Sequence, residues 1–266
     1  MDIPNLEQKE LFAWLKENKQ LLITEKKSST KHSDGLSVHL KEDIADKANK
    51  PINANKNEIK VRVVINTTNI MDSHNDVHLK GIWNKSLKEN KNIFHLQEHE
   101  MKFDKIIADS DDLEAYTKFY KWSELGFDYE GRTQALVFDS VVKAERNPFM
   151  FQQYAAGRVK NHSVGMQYVK IDLAINSKEY PDEKAIWDKY VDEIVNQDAA
   201  KAKGYFFAVQ EAKIIEGSAV PVGSNRATPT LDNNLKEPSY DTPNEPWKTL
   251  KANDLINNYK KFRNGN

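Results

Sequence analysis

The chain reads NHSVGMQYVKID over residues 161–172, the segment that gives the clearest indication of its fold. Apolar side chains at near-alternate positions from Val164 to Tyr168 are typical of a half-buried strand. Ser163 then lies on the face opposite Val164, with Gly165 beside it. Because glycine has no side chain, it leaves room next to the hydroxyl for a substrate backbone. The segment fits a nucleophile carried on a strand, and it also fits an ordinary strand with a surface serine.

Composition limits the classes of protein to which the chain can belong. Its 266 residues can build one sizeable core with attached arms, since 39% are hydrophobic and 30% are charged. The 39 Lys and Arg residues nearly cancel the 40 Asp and Glu residues, so no net field favours nucleic acid or an anionic membrane. Cysteine is absent, which excludes disulfides, a cysteine nucleophile and thiolate metal sites. With no long apolar run and no signal-peptide pattern at the start, we expect a soluble intracellular protein.

Three regions are expected along the chain. Residues 1–57 begin with an amphipathic helix from Asn5 to Leu22 and continue as a polar arm that docks on the domain or on a partner. Residues 58–229 hold the folded domain. Residues 230–266 form a proline-dotted linker and then a basic amphipathic helix from Trp247 to Phe262, which suits docking in a groove.

Periodicity within the central region predicts both strands and helices. We expect strands at residues 59–66, 92–99, 102–108, 134–142 and 163–172, and either two consecutive strands or one long bent strand at residues 204–221. We expect helices near residues 79–87, 111–120, 149–158 and 180–202, the last as a charged insertion between strands. The mixture indicates the α+β class.

His99 closes the predicted strand at residues 92–99, whose alternation puts it on the same face as His95. At the carboxyl end of a strand its imidazole can reach into a site. A histidine here is also compatible with a purely structural role, and the sequence alone leaves both interpretations open.

Asp72, His74, Asp76 and His78 lie close together in a predicted loop. Carboxylates and imidazoles in such an array can bind a divalent ion. Asp and Asn in loops more often bond their own backbone, and no second matching cluster accompanies these four residues. We therefore interpret the loop as a turn and expect neither a metal nor a cofactor.

Four segments, taken in order, resemble the landmarks of the prohead proteases of tailed phages. These capsid-maturation serine proteases share their fold with the herpesvirus assemblins. The family landmarks are an Asp-x-x-x-Asp-x-x-x-x-Gly loop, a strand ending in His, a Ser-x-Gly strand and a Glu-x-Ser-x-Val segment. Here they are Asp72-Asp76-Gly81, the strand from Phe94 to His99, Ser163-Val164-Gly165 and Glu216-Gly217-Ser218-Ala219-Val220.

The resemblance covers Ile59 to Pro229. The chain departs from the family pattern after the histidine, where the usual Lys-Pro-Ile-Gly is Lys105-Ile106-Ile107-Ala108. It departs again after the last strand, where the usual Pro-Ala is Gly223-Ser224. Both changes leave the strands intact and alter the borders of the expected substrate cleft.

The resemblance implies that Ser163 is the nucleophile and His99 the general base. A serine hydroxyl is too weakly acidic to attack an amide unless an imidazole takes its proton, and the same imidazole must return a proton to the leaving amine. A third group normally holds the imidazole in the useful tautomer. We assign this role to Glu216, at the place where assemblins have a second histidine. Glu211 is the alternative. Glu216 can also be interpreted as an ordinary solvent-facing strand residue.

An oxyanion hole needs backbone N–H groups aimed at the developing negative charge. In the related fold they come from the turn just after the third catalytic residue, which here spans residues 223–226. The resemblance therefore implies a role for Ser224 and Arg226, while Gly223 would supply unusual backbone angles. His162 receives no catalytic role, because neighbouring strand residues point to opposite faces.

By this resemblance the central region is a mainly antiparallel β-barrel with surrounding helices, like the assemblins, and acts as a serine endopeptidase. Its expected substrates are the phage scaffold protein, the amino-terminal segment of the major capsid protein, and the chain itself. Cleavage would occur inside the procapsid in the host cytoplasm. Dimerisation switches assemblins on, and whether this chain also self-associates stays open. Membrane and nucleic-acid partners are not expected.

Two other functions stay open. The chain could keep this fold as a structural or scaffolding protein of the phage head that has lost catalysis, since the flanks of His99 differ from the family pattern. It could also be a binding module whose basic tail holds nucleic acid through Lys248, Lys251, Lys260, Lys261 and Arg263. No stripe of basic and aromatic residues in the central region supports this second alternative.

Overall fold

A computed structural model describes residues 3–28, 30 and 57–233 of the chain. The helices are α1 (Gln8–Glu17), α2 (Lys19–Ser28), α3 (Asn84–Glu89), α4 (Pro148–Ala155), α5 (Pro181–Tyr190) and α6 (Gln197–Lys203). The strands are β1 (Glu58–Thr67), β2 (Asp76–His78), β3 (Phe94–Gln97), β4 (Ile106–Ala108), β5 (Leu113–Lys121), β6 (Arg132–Lys143), β7 (Asn161–Ile175), β8 (Tyr205–Val220) and β9 (Thr230–Asn233). Short 3-10 segments occupy Phe103–Lys105, Trp122–Leu125 and Val191–Glu193. The expected α+β class is confirmed.

The strands form two sheets. In the first, the order is β5-β6-β1-β9, and neighbouring strands are antiparallel. In the second, β7 runs antiparallel along one edge of β8, β2 and β3 lie parallel to its other edge, and β4 is antiparallel to β3. The expectation of a barrel is wrong, because the described strands stay in two separate sheets and one of these sheets is mixed. Alternating apolar residues report that one face of a strand is buried, and they do not report whether a sheet closes on itself.

The main core lies between the two sheets. Gly217 in β8 faces the first sheet so closely that a Cβ there would lie 2.4 Å from the ring of Phe138 and 2.9 Å from the side chain of Ile65. Val164, which is opposite Gly217 in β7, belongs to the same apolar cluster. One face of the β7–β8 pair is therefore buried against the first sheet.

The two N-terminal helices pack on this domain. Phe12 and Leu22 are buried in the main apolar cluster. The ammonium groups of Lys16 and Lys19 lie 2.9 Å and 2.6 Å from the carboxylate of Glu183, whose side chain is fully buried. The helical part of the expected N-terminal arm thus docks on its own domain. None of the helices in the described ranges has the length and apolar character needed to cross a membrane.

The helix that we expected at residues 111–120 is wrong, since this segment is strand β5. It pairs with β6 from Leu113 to Lys121 and forms an edge of the first sheet. Tyr116 and Tyr120 are four residues apart, a spacing that fits one face of a helix and one face of a strand equally well. The segment pairs with β6 along its full length, and its aromatic residues and Thr117 suit a pleated surface. These two features favour the strand over the helix.

Other differences concern where elements begin and end. The helix expected from Asn5 to Leu22 is interrupted at Asn18, and the one expected at residues 180–202 divides into α5, a 3-10 turn and α6. The last strand, β9, pairs with β1 beyond the boundary that we placed at residue 229. The expected helix from Trp247 to Phe262 lies outside the described residues.

Candidate active site

The strand pair β7–β8 places the candidate nucleophile and the candidate third catalytic residue on one face. Ser163 lies directly opposite Ser218, and Gly165 lies opposite Glu216. Directly opposed residues of an antiparallel pair project their side chains to the same face. This face points away from the first sheet, because Gly217, between Glu216 and Ser218, points toward that sheet.

His99 reaches the same face through a left-handed turn after β3. Glu98 and His99 have φ values of 53° and 60°, in a region that residues other than glycine rarely adopt. The N–H of Glu98 donates to the carbonyl oxygen of Ala219 at 3.0 Å. The N–H of His99 donates to Oγ of Ser218 at 3.0 Å. The expectation that His99 shares a face with His95 is wrong, since this turn ends the alternation of the strand.

Glu216 holds the imidazole of His99. Its Oε1 lies 2.6 Å from Nδ1 of His99, and its Oε2 accepts a 2.5 Å hydrogen bond from the hydroxyl of Ser218. Glu216 is 2% exposed, so its interpretation as a solvent-facing residue is wrong. A carboxylate at Nδ1 fixes the tautomer in which Nδ1 carries the proton, and Nε2 is then the nitrogen that can accept one.

Glu211, the alternative candidate, lies at a different place on β8. It is opposite Lys170 in the register of the pair, and its Oε1 lies 3.2 Å from Nζ of the exposed Lys85. The structure therefore brings Glu216, rather than Glu211, to His99.

Gly165 makes room for the carboxylate of Glu216. A Cβ at this position would lie 1.9 Å from Oε1 of Glu216 and 2.7 Å from its Cδ. We expected this glycine to admit a substrate backbone beside Ser163. The structure gives it another role, because the space above Gly165 is filled by the group that holds His99.

The turn at residues 223–226 lies against the strand that carries Ser163. A Cβ on Gly223 would lie 2.7 Å from the carbonyl oxygen of His162, so glycine is needed here for close approach. Our expectation of unusual backbone angles at Gly223 is wrong, since its φ lies outside the left-handed region. Ser224 and Ser163 line a common cavity of about 20 Å³, enough for one water molecule.

A larger cleft of about 530 Å³ is also lined by residues of this turn. Arg226 is exposed and lines this cleft, while Ser224 lines both the cleft and the small cavity beside Ser163. Asp72 also borders both spaces. Of the two predicted oxyanion residues, Ser224 therefore lines the small cavity together with Ser163, and Arg226 lines only the larger cleft.

The loop at Asp72 is built as a turn. One carboxylate oxygen of Asp72 accepts hydrogen bonds from the N–H groups of His74 and Asp76, both at 2.9 Å. Burial and the neighbouring carboxylate of Asp76 raise the pKa of Asp72 to about 7. Within the described ranges, no group of histidine and carboxylate side chains has an arrangement that could hold a metal ion.

A buried polar network, which the sequence did not indicate, continues from this loop. Asp76 binds Nζ of Lys26, from helix α2, at 2.5 Å and accepts a 2.8 Å hydrogen bond from the hydroxyl of Tyr168. The same hydroxyl lies 3.1 Å from Nε2 of His78, whose Nδ1 lies 2.9 Å from the amide nitrogen of Asn66. Burial lowers the pKa of His78 to about 4, so the ring is neutral near pH 7.

A hydrogen-bonded pair of a serine and a histidine lies in the core. Oγ of Ser140 is 3.0 Å from Nδ1 of His95, and the hydroxyl of Tyr154 bridges Nε2 of His95 and Nε2 of His162 at 3.1 Å and 3.0 Å. Nδ1 of His162 lies 3.0 Å from the carbonyl oxygen of Thr228. Burial keeps the pKa of both histidines below the ordinary value, that of His162 at about 4. We interpret this group as structural, since both rings are fully buried whereas the side chain of His99 is 12% exposed, and since the described contacts of His95 are with hydroxyls rather than with a carboxylate.

The group around His99 and the group around His95 differ in the chemistry that they can support. The pair of His99 with Glu216 has the carboxylate that stabilises an imidazolium ion, and it lies on the face that carries Ser163. Ser218 contacts both members of this pair. In the sequence Ser218 is only one residue of the Glu-x-Ser-x-Val segment, and the position of its hydroxyl follows from the structure alone.

No protein-family model, curated protein or solved structure matches this chain.

Proposed function

We propose that the chain is a serine endopeptidase in which Ser163 is the nucleophile, His99 the general base and Glu216 the group that orients His99. One observation carries the proposal: the 2.6 Å contact between Glu216 and His99 lies on the face of the strand pair that also carries Ser163. The buried pair of Ser140 and His95 is a less suitable candidate, because the described contacts of His95 include no carboxylate. The carboxylate on His99 distinguishes the proposed site.

In the proposed reaction, Oγ of Ser163 attacks the scissile carbonyl carbon while Nε2 of His99 takes the hydroxyl proton. Glu216 stabilises the imidazolium that forms, and His99 then gives the proton to the leaving amine. Water then attacks the carbonyl carbon of the acyl-enzyme while His99 takes a proton from it. His99 returns this proton to Oγ of Ser163 as the second product leaves. Backbone N–H groups of the turn at residues 223–226 would stabilise the oxyanion, with Arg226 at the border of the cleft.

The biological role that fits this chemistry is maturation of a phage head, as in the prohead proteases. The proposed substrates are the scaffold protein, the amino-terminal segment of the major capsid protein, and the chain itself, within the procapsid in the host cytoplasm. The likeness in fold to the assemblins is part of the proposal and is supported by the order of the four sequence landmarks. Self-association, as in the assemblins, is the corresponding proposal for control of activity.

The proposal is tested with the full purified chain and diisopropyl fluorophosphate, which phosphorylates activated serine hydroxyls. Peptide mass mapping is expected to find the label on Ser163, and intact mass analysis over time is expected to find self-cleavage. Ser163→Ala should abolish both. Ser140→Ala is the matched control, because Ser140 is also buried beside a histidine and lies outside the proposed site. A folded wild-type chain that shows neither label nor cleavage would contradict the proposal and favour a structural role in the head.

A further inference from the structure

Ser218 makes two hydrogen bonds whose directions are fixed by chemistry. The backbone N–H of His99 can only donate, so Oγ of Ser218 is the acceptor of their 3.0 Å hydrogen bond. The single hydroxyl proton of Ser218 is then directed to Oε2 of Glu216, 2.5 Å away. One hydroxyl therefore joins the backbone of the proposed base to the carboxylate that orients its ring.

The backbone at His99 needs such a restraint. Glu98 and His99 are both in the left-handed conformation, which is unfavourable for residues with a Cβ and persists only where the surroundings hold it. The N–H of Glu98 is held by the carbonyl oxygen of Ala219, and the N–H of His99 is held by Ser218. Ser218 is fully buried, so water does not compete for either of its hydrogen bonds.

The carboxylate of Glu216 is held at both oxygens. Oε1 contacts His99 and Oε2 accepts from Ser218, while the missing side chain of Gly165 leaves just enough space for the group. Without the hydroxyl of Ser218, the carboxylate would lose the 2.5 Å hydrogen bond at Oε2 that helps to keep its Oε1 on the ring.

We propose that Ser218 is a positioning residue for this site: its hydroxyl locks the left-handed turn at His99 to the carboxylate of Glu216, so that Nδ1 of the ring stays on that carboxylate. The inference rests on the proposed function for its catalytic meaning. The hydrogen bonds on which the inference depends can be tested in a variant that has no catalytic activity.

The first test uses proton NMR on Ser163→Ala, which keeps the chain from cleaving itself. A proton shared between Nδ1 of His99 and a carboxylate should give a far-downfield resonance, identified by its loss in Ser163→Ala/His99→Gln. In Ser163→Ala/Ser218→Ala this resonance should move upfield by at least 1 ppm or broaden beyond detection. An unchanged resonance would overturn the inference.

Ser86→Ala, in the same background, is the matched control. Ser86 is also buried, and its Oγ accepts a 2.8 Å hydrogen bond from the N–H of Ile214 in β8. Its removal should cost a comparable amount of thermal stability and leave the His99 resonance in place. Ser218→Cys keeps an atom at the position of the hydroxyl, although a larger one and a weaker donor, and it replaces Ser218→Ala if that variant does not fold.

The second test uses kinetics in the otherwise wild-type chain. Ser218→Ala should lower kcat by roughly 10- to 100-fold, the range for a displaced catalytic group, while KM changes less than about 2-fold. Ser86→Ala should change neither constant beyond about 2-fold. If the wild type shows no peptidase activity, the proposed function fails, and the resonance of His99 still decides the role of Ser218. If the wild type is active and Ser218→Ala matches Ser86→Ala in both tests, the positioning role is wrong.

Discussion

Oε1 of Glu216 occupies the space in which a side chain of Gly165 would lie, at 1.9 Å from the position of its Cβ. The two residues are opposite each other across β7 and β8, and Gly165 is two residues from Ser163 on β7. A glycine close to the candidate nucleophile is thus required by the orienting group on the neighbouring strand. This relationship links the sequence pattern Ser-x-Gly to the geometry of His99.

Gly165→Ala should push Glu216 away from His99, because 1.9 Å is far too short for a contact between carbon and oxygen. We expect kcat/KM to fall about 100-fold or more and the chain to be destabilised. Kinetics and thermal unfolding are the measurements. Gly165→Ala/Glu216→Ala should recover part of the lost stability while activity stays low, since the clash is with the Glu216 side chain. Additive losses in the double variant would contradict this explanation.

Glu216→Gln should lower kcat by roughly 10⁴-fold, because an amide can select the wrong tautomer of His99 and carries no charge to stabilise the imidazolium. Glu211→Gln is the control on the same strand. It removes an ion pair with the exposed Lys85, which solvent screens strongly, and activity should be unchanged. Equal effects of the two substitutions would show that Glu216 is not the orienting residue.

Stability should fall as the pH decreases from about 6.5 toward 4. The pKa values of His78 and His162 are lowered by burial to about 4 in the folded chain, so between these limits the unfolded chain binds more protons. Each histidine then reduces the free energy of unfolding by about 1.4 kcal/mol per pH unit. Asp72, whose pKa is raised from 3.8 to about 7, opposes the loss throughout this range, since its folded form is the one that binds the extra proton, but it offsets only one of the two histidines.

Urea denaturation at pH 7, 6 and 5 measures this dependence. His162→Gln should be less stable at pH 7, because it breaks the contacts with Tyr154 and Thr228, yet it should lose less stability than the wild type between pH 7 and pH 5. If the free energy of unfolding falls by the same amount between pH 7 and pH 5 in both proteins, His162 does not contribute to the pH dependence as predicted.

Lys26→Met should lower the free energy of unfolding by about 3–5 kcal/mol, the range for breaking a buried ion pair. Its ammonium group lies 2.5 Å from Asp76, which is 2% exposed, and it also lies over the ring of Phe207. Urea denaturation is the measurement, with the exposed Lys9→Met as the control. Adding Asp76→Asn to Lys26→Met should restore part of the loss, and a further loss of the same size would contradict the assignment.

The sequence alone determined the main strands and the order of the chemical groups. Apolar residues alternate in β1 and in the first half of β7, which indicates a strand with one buried face, and the segments of β6 and β8 are runs rich in apolar residues. The same reasoning failed at β5, where aromatic residues four apart satisfy both the helical and the strand period. It also failed to predict two separate sheets, because burial of a face does not specify how strands are paired.

The tertiary structure alone decided how the candidate site is assembled. His99 and Glu216 are separated by 117 residues, so no local pattern could show that Nδ1 meets the carboxylate. The left-handed turn at Glu98 and His99 and the two hydrogen bonds of Ser218 exist only because β3 lies beside β8. The glycines at 165 and 223 could be noticed in the sequence, but the need for them comes from atoms that other strands bring within van der Waals distance. A chain encodes its residue types locally, whereas the contacts that give those residues a function depend on which distant segments pack together.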